Sequence, residues 1–251
     1  MSPSQRPSAP FSYLPLLVSA LCAAIAAQMA WREPRYLIPF LAIALVTLLP
    51  GYLARRRMRR LLMSGDVKRV LGTWQGSVAR VMYPETMAPL MAATAYAAYG
   101  WTYAARSALE RAARGPGWEA ALEQRLFVET LLDTFEGDRT AALAKGEALE
   151  RMPVPPAGPL ARKRIALLRR GVSALARAFA HKSRDADGEL LQRVASLSPL
   201  VHWAMRYAAA VVAVDQGHKD DARALLSNAP AWPKESAFHF YHDELIERVG
   251  S

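Results

Sequence analysis

Two stretches with one shared spacing decide the fold: residues 93–112, ATAYAAYGWTYAARSALERA, and residues 210–229, AVVAVDQGHKDDARALLSNA. Each stretch is built around a glycine, Gly100 in the first and Gly217 in the second. Small or apolar residues recur at the same offsets from that glycine, and these are Ala93, Tyr96, Ala105, Leu109 and Ala112 in the first stretch and Ala210, Ala213, Ala222, Leu226 and Ala229 in the second. Two helices approach closely only where the residues at their crossing are small. The spacing therefore predicts two helix-turn-helix pairs, each with its turn at the glycine.

This spacing resembles the tetratricopeptide repeat, a helix-turn-helix unit that ends at a proline or glycine. Gly117 stands at that terminal position in the first unit, and Pro230 with Pro233 brackets it in the second. A third unit around Gly137 matches more loosely, because Gly146 stands where the other two units have leucine. A generic alanine-rich helical bundle is the alternative that these patterns leave open.

The resemblance implies an all-α helical repeat domain over residues 84–251, with two sub-bundles split near the proline-rich residues 153–159. It also implies a concave face, formed by the first helix of each pair, that holds a peptide or protein. By the same resemblance, Thr94, Tyr207 and Asp215 would lie toward that groove.

Two stretches without a charged side chain, residues 11–31 and 36–54, precede the repeat region. Each would span about 28 to 31 Å as a helix, which is enough to cross the hydrocarbon core of a bilayer. We therefore predict a transmembrane helical hairpin over residues 11–54, after a short tail of residues 1–10. Two alternatives remain open: a cleaved signal peptide over residues 1–30, and a buried hairpin within a soluble protein.

Positive charge is concentrated directly after the second stretch. The chain carries a formal net charge of +10, and most of it comes from a short block that begins with Arg55, Arg56, Arg57, Arg59 and Arg60. Such a block beside an apolar segment favours a cytoplasmic position for the chain that follows, and it argues against a nucleic-acid-binding face. The layout resembles bacterial inner-membrane tetratricopeptide proteins that have an N-terminal membrane hairpin.

Residues 55–83 are predicted to form a basic juxtamembrane amphipathic helix. Its apolar stripe is Val67, Val70, Leu71, Trp74, Val78, Val81 and Met82. This helix could lie on the anionic leaflet, with the five arginines and Trp74 at the headgroups. We favour the alternative, in which the stripe packs against the next helix, because Gly72 and Gly76 would weaken an isolated surface helix.

The composition excludes several kinds of chemistry. The 251 residues include one cysteine, Cys22, which excludes an internal disulfide and any multi-cysteine metal site. We find no phosphate-binding glycine loop, nucleophile elbow, zincin or kinase motif. His239 and His242 share a helix face and could bind a metal with a third ligand such as His202. A metal-dependent membrane-associated enzyme is therefore the alternative to a protein without catalytic activity or cofactor.

A second basic cluster lies on one predicted helix and comprises Arg162, Lys163, Arg164, Arg169 and Arg170, with Arg177 beyond it. It could be a surface for an acidic partner or for the leaflet. We favour a solvated helix face, because arginine stems commonly cover the edge of an apolar face. The acidic residues Asp185 and Asp187 are likewise expected in a solvated loop.

Together these patterns predict a membrane-anchored helical-repeat scaffold on the cytoplasmic face of a bacterial inner membrane. Its partners would be the lipid bilayer and an unidentified protein or peptide, and not a nucleic acid.

Overall fold

The computed structural model describes Gln28, residues 37–78 and residues 82–250, and in this part of the chain every regular element is a helix. The prediction of an all-α fold is confirmed for these residues. The first predicted membrane span, residues 11–31, lies outside the described residues apart from Gln28.

The described chain begins with α1, Leu37–Met63, which runs through most of the second predicted span and the arginine block. Contacts divide the chain into two units, residues 1–58 and residues 59–251. Within α1, the large apolar side chains Leu45, Val46, Leu48 and Leu49 are exposed. None of the helices in the described part of the chain is both long and apolar enough to cross a membrane. The hairpin stays a prediction.

The second unit contains the last turn of α1 and all the remaining described helices. After α2, Val67–Val78, come four consecutive helix pairs and a terminal helix: α3 Pro84–Ala98 with α4 Thr102–Ala113, α5 Leu122–Glu136 with α6 Arg139–Arg151, α7 Pro159–Phe179 with α8 Asp187–Leu197, α9 His202–Asp215 with α10 Lys219–Leu226, and α11 Ala237–Gly250. Short 3-10 turns at Glu119–Ala121 and Pro199–Val201 lead into α5 and α9.

The turns between paired helices use left-handed backbone conformations. Gly100, Gly137 and Gly217 have φ of 73°, 87° and 78°, a region that glycine adopts without steric cost. The loosely matching unit around Gly137 is therefore a complete helix pair. The third pair, α7 with α8, turns at His181, which has φ of 54° without being a glycine.

Small residues allow the helices to cross closely, as the spacing predicts. Ala93 and Ala105 are fully buried between α3 and α4, and Ala222 is fully buried on α10. Gly146 on α6 faces α7, where a Cβ atom would lie only 3.2 Å from the Ser173 Cα atom. Close packing of α6 on α7 therefore explains the glycine at this position, since a larger side chain would push the two helices apart. Each first helix also packs on the first helix of the next pair.

The helix α2 is a packing helix. Val67 and Val70 are buried, and Trp74 is partly buried against the same core. From Val67 to Trp74 the preferred interpretation of the amphipathic stripe agrees with the structure, but Met82, at the end of the predicted stripe, is 68% exposed.

The terminal helix α11 does more than cover the last pair. The Ser236 hydroxyl donates a hydrogen bond to the Tyr99 carbonyl oxygen (2.7 Å), and the Ala237 N–H donates to the Gly100 carbonyl oxygen (2.8 Å). The Phe238 ring packs against Phe135 at the end of α5, with ring centroids 5.1 Å apart. Residues 236–238, at the start of α11, therefore pack on the C-terminal ends of α3 and α5, which lie more than 100 residues earlier in the sequence.

Candidate functional site

A cavity in the second unit has a volume of about 680 Å³. It is lined mainly by the N-terminal halves of α3, α5 and α7, the 3-10 turn before α9 and the end of α1. Its apolar walls include Leu62, Met87, Ala120, Ala121, Phe127, Leu149, Ile165, Leu168, Leu197, Pro199, Leu200 and Val201. This size and composition are typical of sites that bind a ligand or a partner side chain.

Two polar side chains, Thr94 and Gln124, are hydrogen-bonded to each other on one wall of this cavity. The buried Thr94 hydroxyl donates a hydrogen bond to the Leu90 carbonyl oxygen (2.8 Å), and the Gln124 Nε2 atom donates to the Thr94 Oγ1 atom (3.3 Å). The carboxamide oxygen of Gln124 makes no hydrogen bond to another described residue. Because amides pair well with amides, this wall suits a ligand that carries peptide-like groups.

A buried arginine adds charge to the same wall. Only 4% of the Arg169 side chain is exposed, and its Nε atom lies 2.9 Å from a carboxylate oxygen of Glu123. The Arg169 Nη1 atom donates to the Met152 carbonyl oxygen (2.6 Å), which ties α7 to the proline-rich connection after α6. The Glu123 side chain is 41% exposed, so this carboxylate neutralises Arg169 while remaining open to the cavity.

The mouth of the cavity is held by a strained residue. Tyr83 has φ of 57°, which is unusual for a residue with a side chain, and it is 47% exposed. A Cβ atom on Gly117 would lie 3.0 Å from the Tyr83 Cβ atom, so the two backbones approach closely. The Gly117 N–H donates to the Thr86 hydroxyl (3.0 Å) and fixes this approach. Strain of this kind is concentrated at functional sites.

The three predicted groove residues have different positions in the structure. Thr94 lines the cavity. Tyr207 does not, because its side chain is fully buried: the Trp232 Nε1 atom donates to its hydroxyl (2.7 Å), and that hydroxyl lies 3.0 Å from the His242 Nδ1 atom. Burial raises the pKa of Tyr207, so the phenol is a neutral core residue with no surface left for a partner.

Asp215 is the last residue of α9, whereas the 3-10 turn that lines the cavity precedes the first residue of that helix. The Asp215 carboxylate oxygen is 2.8 Å from the His181 Nδ1 atom, in a hydrogen bond that bridges α9 and the turn between α7 and α8. This contact explains Asp215 as a link between neighbouring pairs, away from the walls of the large cavity.

The five arginines of the juxtamembrane block are exposed, as a leaflet-binding role requires. Arg59, which belongs to the second unit, donates a hydrogen bond from its Nη2 atom to the Ser196 carbonyl oxygen (3.2 Å). Since Leu197 lines the cavity, Arg59 lies beside its mouth.

The predicted histidine metal site is not assembled. Across residues 37–78 and 82–250, no three histidine, cysteine or acidic side chains converge on a position that could hold a metal ion. His202 is buried and hydrogen-bonded through Nδ1 to the Ala195 carbonyl oxygen (2.9 Å), and His242 is engaged by Tyr207. The metal-dependent alternative therefore has no support from the three histidines.

The basic cluster on α7 is only partly a solvated face. Arg162, Lys163 and Arg164 are exposed as expected, but Arg169 and Arg177 are buried. Their carboxylate partners come from other elements, and such partners cannot be recognised from spacing along one helix.

The expectation of a solvated loop is likewise wrong for Asp187. Its carboxylate forms a buried, two-point ion pair with Arg177, with N to O distances of 2.6 and 2.8 Å. Burial alone would raise the pKa of Asp187, but the hydrogen bonds from Arg177 and from the Arg184 N–H outweigh burial and lower it.

The cavity-lining residues Glu123, Gln124 and Arg169 were not recognised from the sequence. The sequence contains a spacing that could have identified Gln124. This residue lies thirteen positions before Gly137, the residue of its helix pair's turn that has a left-handed conformation. Met87 and Leu168 stand at the same offset before Gly100 and His181, and all three line the cavity.

Comparison of the chain with protein-family models, with curated proteins and with solved structures finds no match.

Proposed function

We propose that this chain is a membrane-anchored helical-repeat scaffold that binds a segment of a partner protein in the cavity formed by its first helices. The observation that carries the proposal is the cavity of about 680 Å³ between α3, α5 and α7. In a tetratricopeptide-like array, the first helix of each pair forms the concave binding face. The cavity lies on the corresponding helices of three successive pairs.

The chemistry of the walls supports binding over catalysis. The walls are mostly aliphatic, and Arg169 is held by Glu123 and by a backbone carbonyl. Apolar walls with a few fixed polar groups select a ligand by shape and by hydrogen bonding. A partner segment would insert a large apolar side chain and pair its amide groups with Gln124.

The membrane part of the proposal rests on the two uncharged stretches and the arginine block that follows them. By the positive-inside rule, residues 59–251 would lie in the cytoplasm, at the inner membrane of a bacterium.

Site-specific photo-crosslinking tests the proposed binding function. Leu197 lines the cavity and is 53% exposed, whereas Tyr103 is 88% exposed and lies elsewhere on the domain. A photoreactive phenylalanine at position 197 of the full-length protein should yield a discrete protein adduct in its native membrane, and the same group at position 103 should not.

A blocking variant provides the second arm of this test. Ala120 lines the cavity and is exposed, so Ala120→Trp should occupy the mouth without disturbing the core and should abolish the adduct at position 197. Ala224→Trp, at an exposed position on α10, is the matched control. An adduct that survives Ala120→Trp would contradict a binding role for the cavity.

A further inference from the structure

Three exposed arginines, from three different elements, each lie about one helical turn before a residue that lines the cavity. Arg59 lies three residues before Leu62, Arg162 three residues before Ile165, and Arg193 four residues before Leu197; each second residue lines the cavity. These spacings place each arginine on the same helix face as its cavity-lining neighbour.

Arg59, Arg162 and Arg193 form no ion pair with a carboxylate among the described residues, as is also true of other exposed cations of the second unit such as Lys163 and Lys182. Elsewhere in that unit, ion pairs engage Arg69, Arg106, Arg125, Lys145, Arg151, Arg169, Arg177, Arg223 and Arg248. Arg59 reaches only a backbone carbonyl oxygen, that of Ser196. The border of the cavity therefore carries uncompensated positive charge, which favours an anionic partner.

The interior of the cavity distinguishes a peptide from a lipid. An acyl chain would cover the Gln124 carboxamide and the exposed part of Glu123 without offering either a hydrogen bond, and burying unpaired polar groups is unfavourable. A peptide supplies amide N–H donors to these oxygens. Tyr83 and Leu197, both exposed at the mouth, extend the apolar surface outward for a segment broader than one chain.

We infer that the partner segment is an acidic amphipathic peptide, in which a large apolar side chain enters the cavity while flanking aspartates or glutamates pair with Arg59, Arg162 and Arg193. This inference rests on the proposed function and adds the chemistry of the partner. Exposed charge pairs contribute mainly to specificity and association rate, so charge should decide which peptides bind.

Selection from a random twelve-residue peptide library, displayed on phage, tests this with the full-length protein in neutral detergent. We expect the selected peptides to combine a large apolar residue with at least two acidic residues. The triple variant Arg59→Glu, Arg162→Glu and Arg193→Glu should bind the best wild-type peptide about tenfold or more weakly. Its own selection should enrich lysine and arginine instead.

The matched control reverses three exposed lysines that do not line the cavity: Lys68→Glu, Lys182→Glu and Lys219→Glu. It changes the net charge by the same amount and should leave peptide affinity within about twofold, since none of the three lysines lies within four residues of a cavity-lining residue and distant charges are largely screened at moderate salt. An equal loss in both triple variants would reduce the effect to net charge and overturn the inference.

The outcomes separate the inference from the proposed function. Peptides that Ala120→Trp excludes but that show no acidic preference would overturn the inference and leave the binding function standing. Peptides that bind Ala120→Trp normally would contradict both. A selection that enriches no peptide, with phosphatidylglycerol vesicles bound through the three arginines, would also contradict both and would identify the ligand as an anionic lipid.

Discussion

Replacing Gly100 by alanine tests whether the segment before α11 seals the turn of the first helix pair. Gly100 and Gly217 have nearly the same φ, 73° and 78°, but different surroundings. No atom lies within 4 Å of a Cβ placed on Gly217. A Cβ on Gly100 would lie 3.0 Å from the Ser236 Oγ atom and 3.2 Å from the Phe238 backbone nitrogen. The two substitutions thus differ only in packing.

The expected magnitudes follow from these contacts. Alanine in a left-handed conformation costs about 1 to 2 kcal/mol, and the reduced freedom of the unfolded chain returns about 0.4 to 1 kcal/mol. Gly217→Ala should therefore lower the free energy of unfolding by about 1 kcal/mol. At Gly100 the neighbours cannot retreat freely, because Ser236 and Ala237 are hydrogen-bonded to the turn. Overpacking adds about 1 to 3 kcal/mol, for a total of about 3 kcal/mol.

Urea unfolding of the purified full-length variants, followed by tryptophan fluorescence, measures this difference. In thermal unfolding, Gly217→Ala should lower Tm by about 2 to 4 °C and Gly100→Ala by about three times as much. Gly137→Ala is a second control, because its φ is 87° and no atom lies within 4 Å of the added Cβ. Equal losses for all three variants would refute the reasoning, since the Ser236 segment would then not rest on the Gly100 turn.

Three further predictions concern buried charge and location. Burial lowers the pKa of His202 more than its hydrogen bond to Ala195 raises it, so the free energy of unfolding should fall as pH drops below the ordinary value of 6.5. His202→Gln should flatten that slope, and an unchanged slope would contradict the assignment. Asp187→Asn leaves Arg177 buried without its main partner and should cost about 3 to 5 kcal/mol, while the double change Arg177→Met with Asp187→Leu should recover a large part in the same urea assay. The full-length protein should sediment with membranes after an alkaline wash. Reporters fused to its C-terminus should be active only in the cytoplasm. Recovery of the protein in the supernatant would contradict the predicted hairpin.

The sequence predicted those helix pairs whose turn is marked by a glycine. Gly100, Gly137 and Gly217 mark turns because glycine alone adopts a left-handed conformation without cost. The pair α7 with α8 turns at His181, for which composition offers no signal, so only its helicity was predicted. Besides local backbone hydrogen bonds, this turn has a hydrogen bond from the His181 side chain to Asp215, a contact between residues distant in sequence.

The candidate site was predicted less completely, because its walls come from many elements that lie far apart in the sequence. The groove assignment reached Thr94 but also chose Tyr207, ten residues before its turn glycine, where the side chain points into the core. Positions thirteen residues before the turn, such as Gln124, line the cavity in three successive pairs. The burial of Arg169 likewise depends on Glu123, forty-six residues away. Spacing along one helix carries no information about such partners.

The first helices are densely packed at their C-terminal ends but border a cavity at their N-terminal ends, and this contrast is the strongest physical argument for a bound partner. At the C-terminal ends, Phe135 and Phe179 pack beneath α11, whose Tyr241 ring lies 4.9 Å from that of Phe179. At the N-terminal ends the chain places Ala120 and Gly117 around an unfilled volume of about 680 Å³. A larger apolar side chain at Ala120 would bury more apolar area, whereas Gly117 has no room for one, because a Cβ atom there would lie 3.0 Å from the Tyr83 Cβ atom. A cavity of this volume at one end of the first helices, while the opposite end is densely packed, supports the proposed binding site.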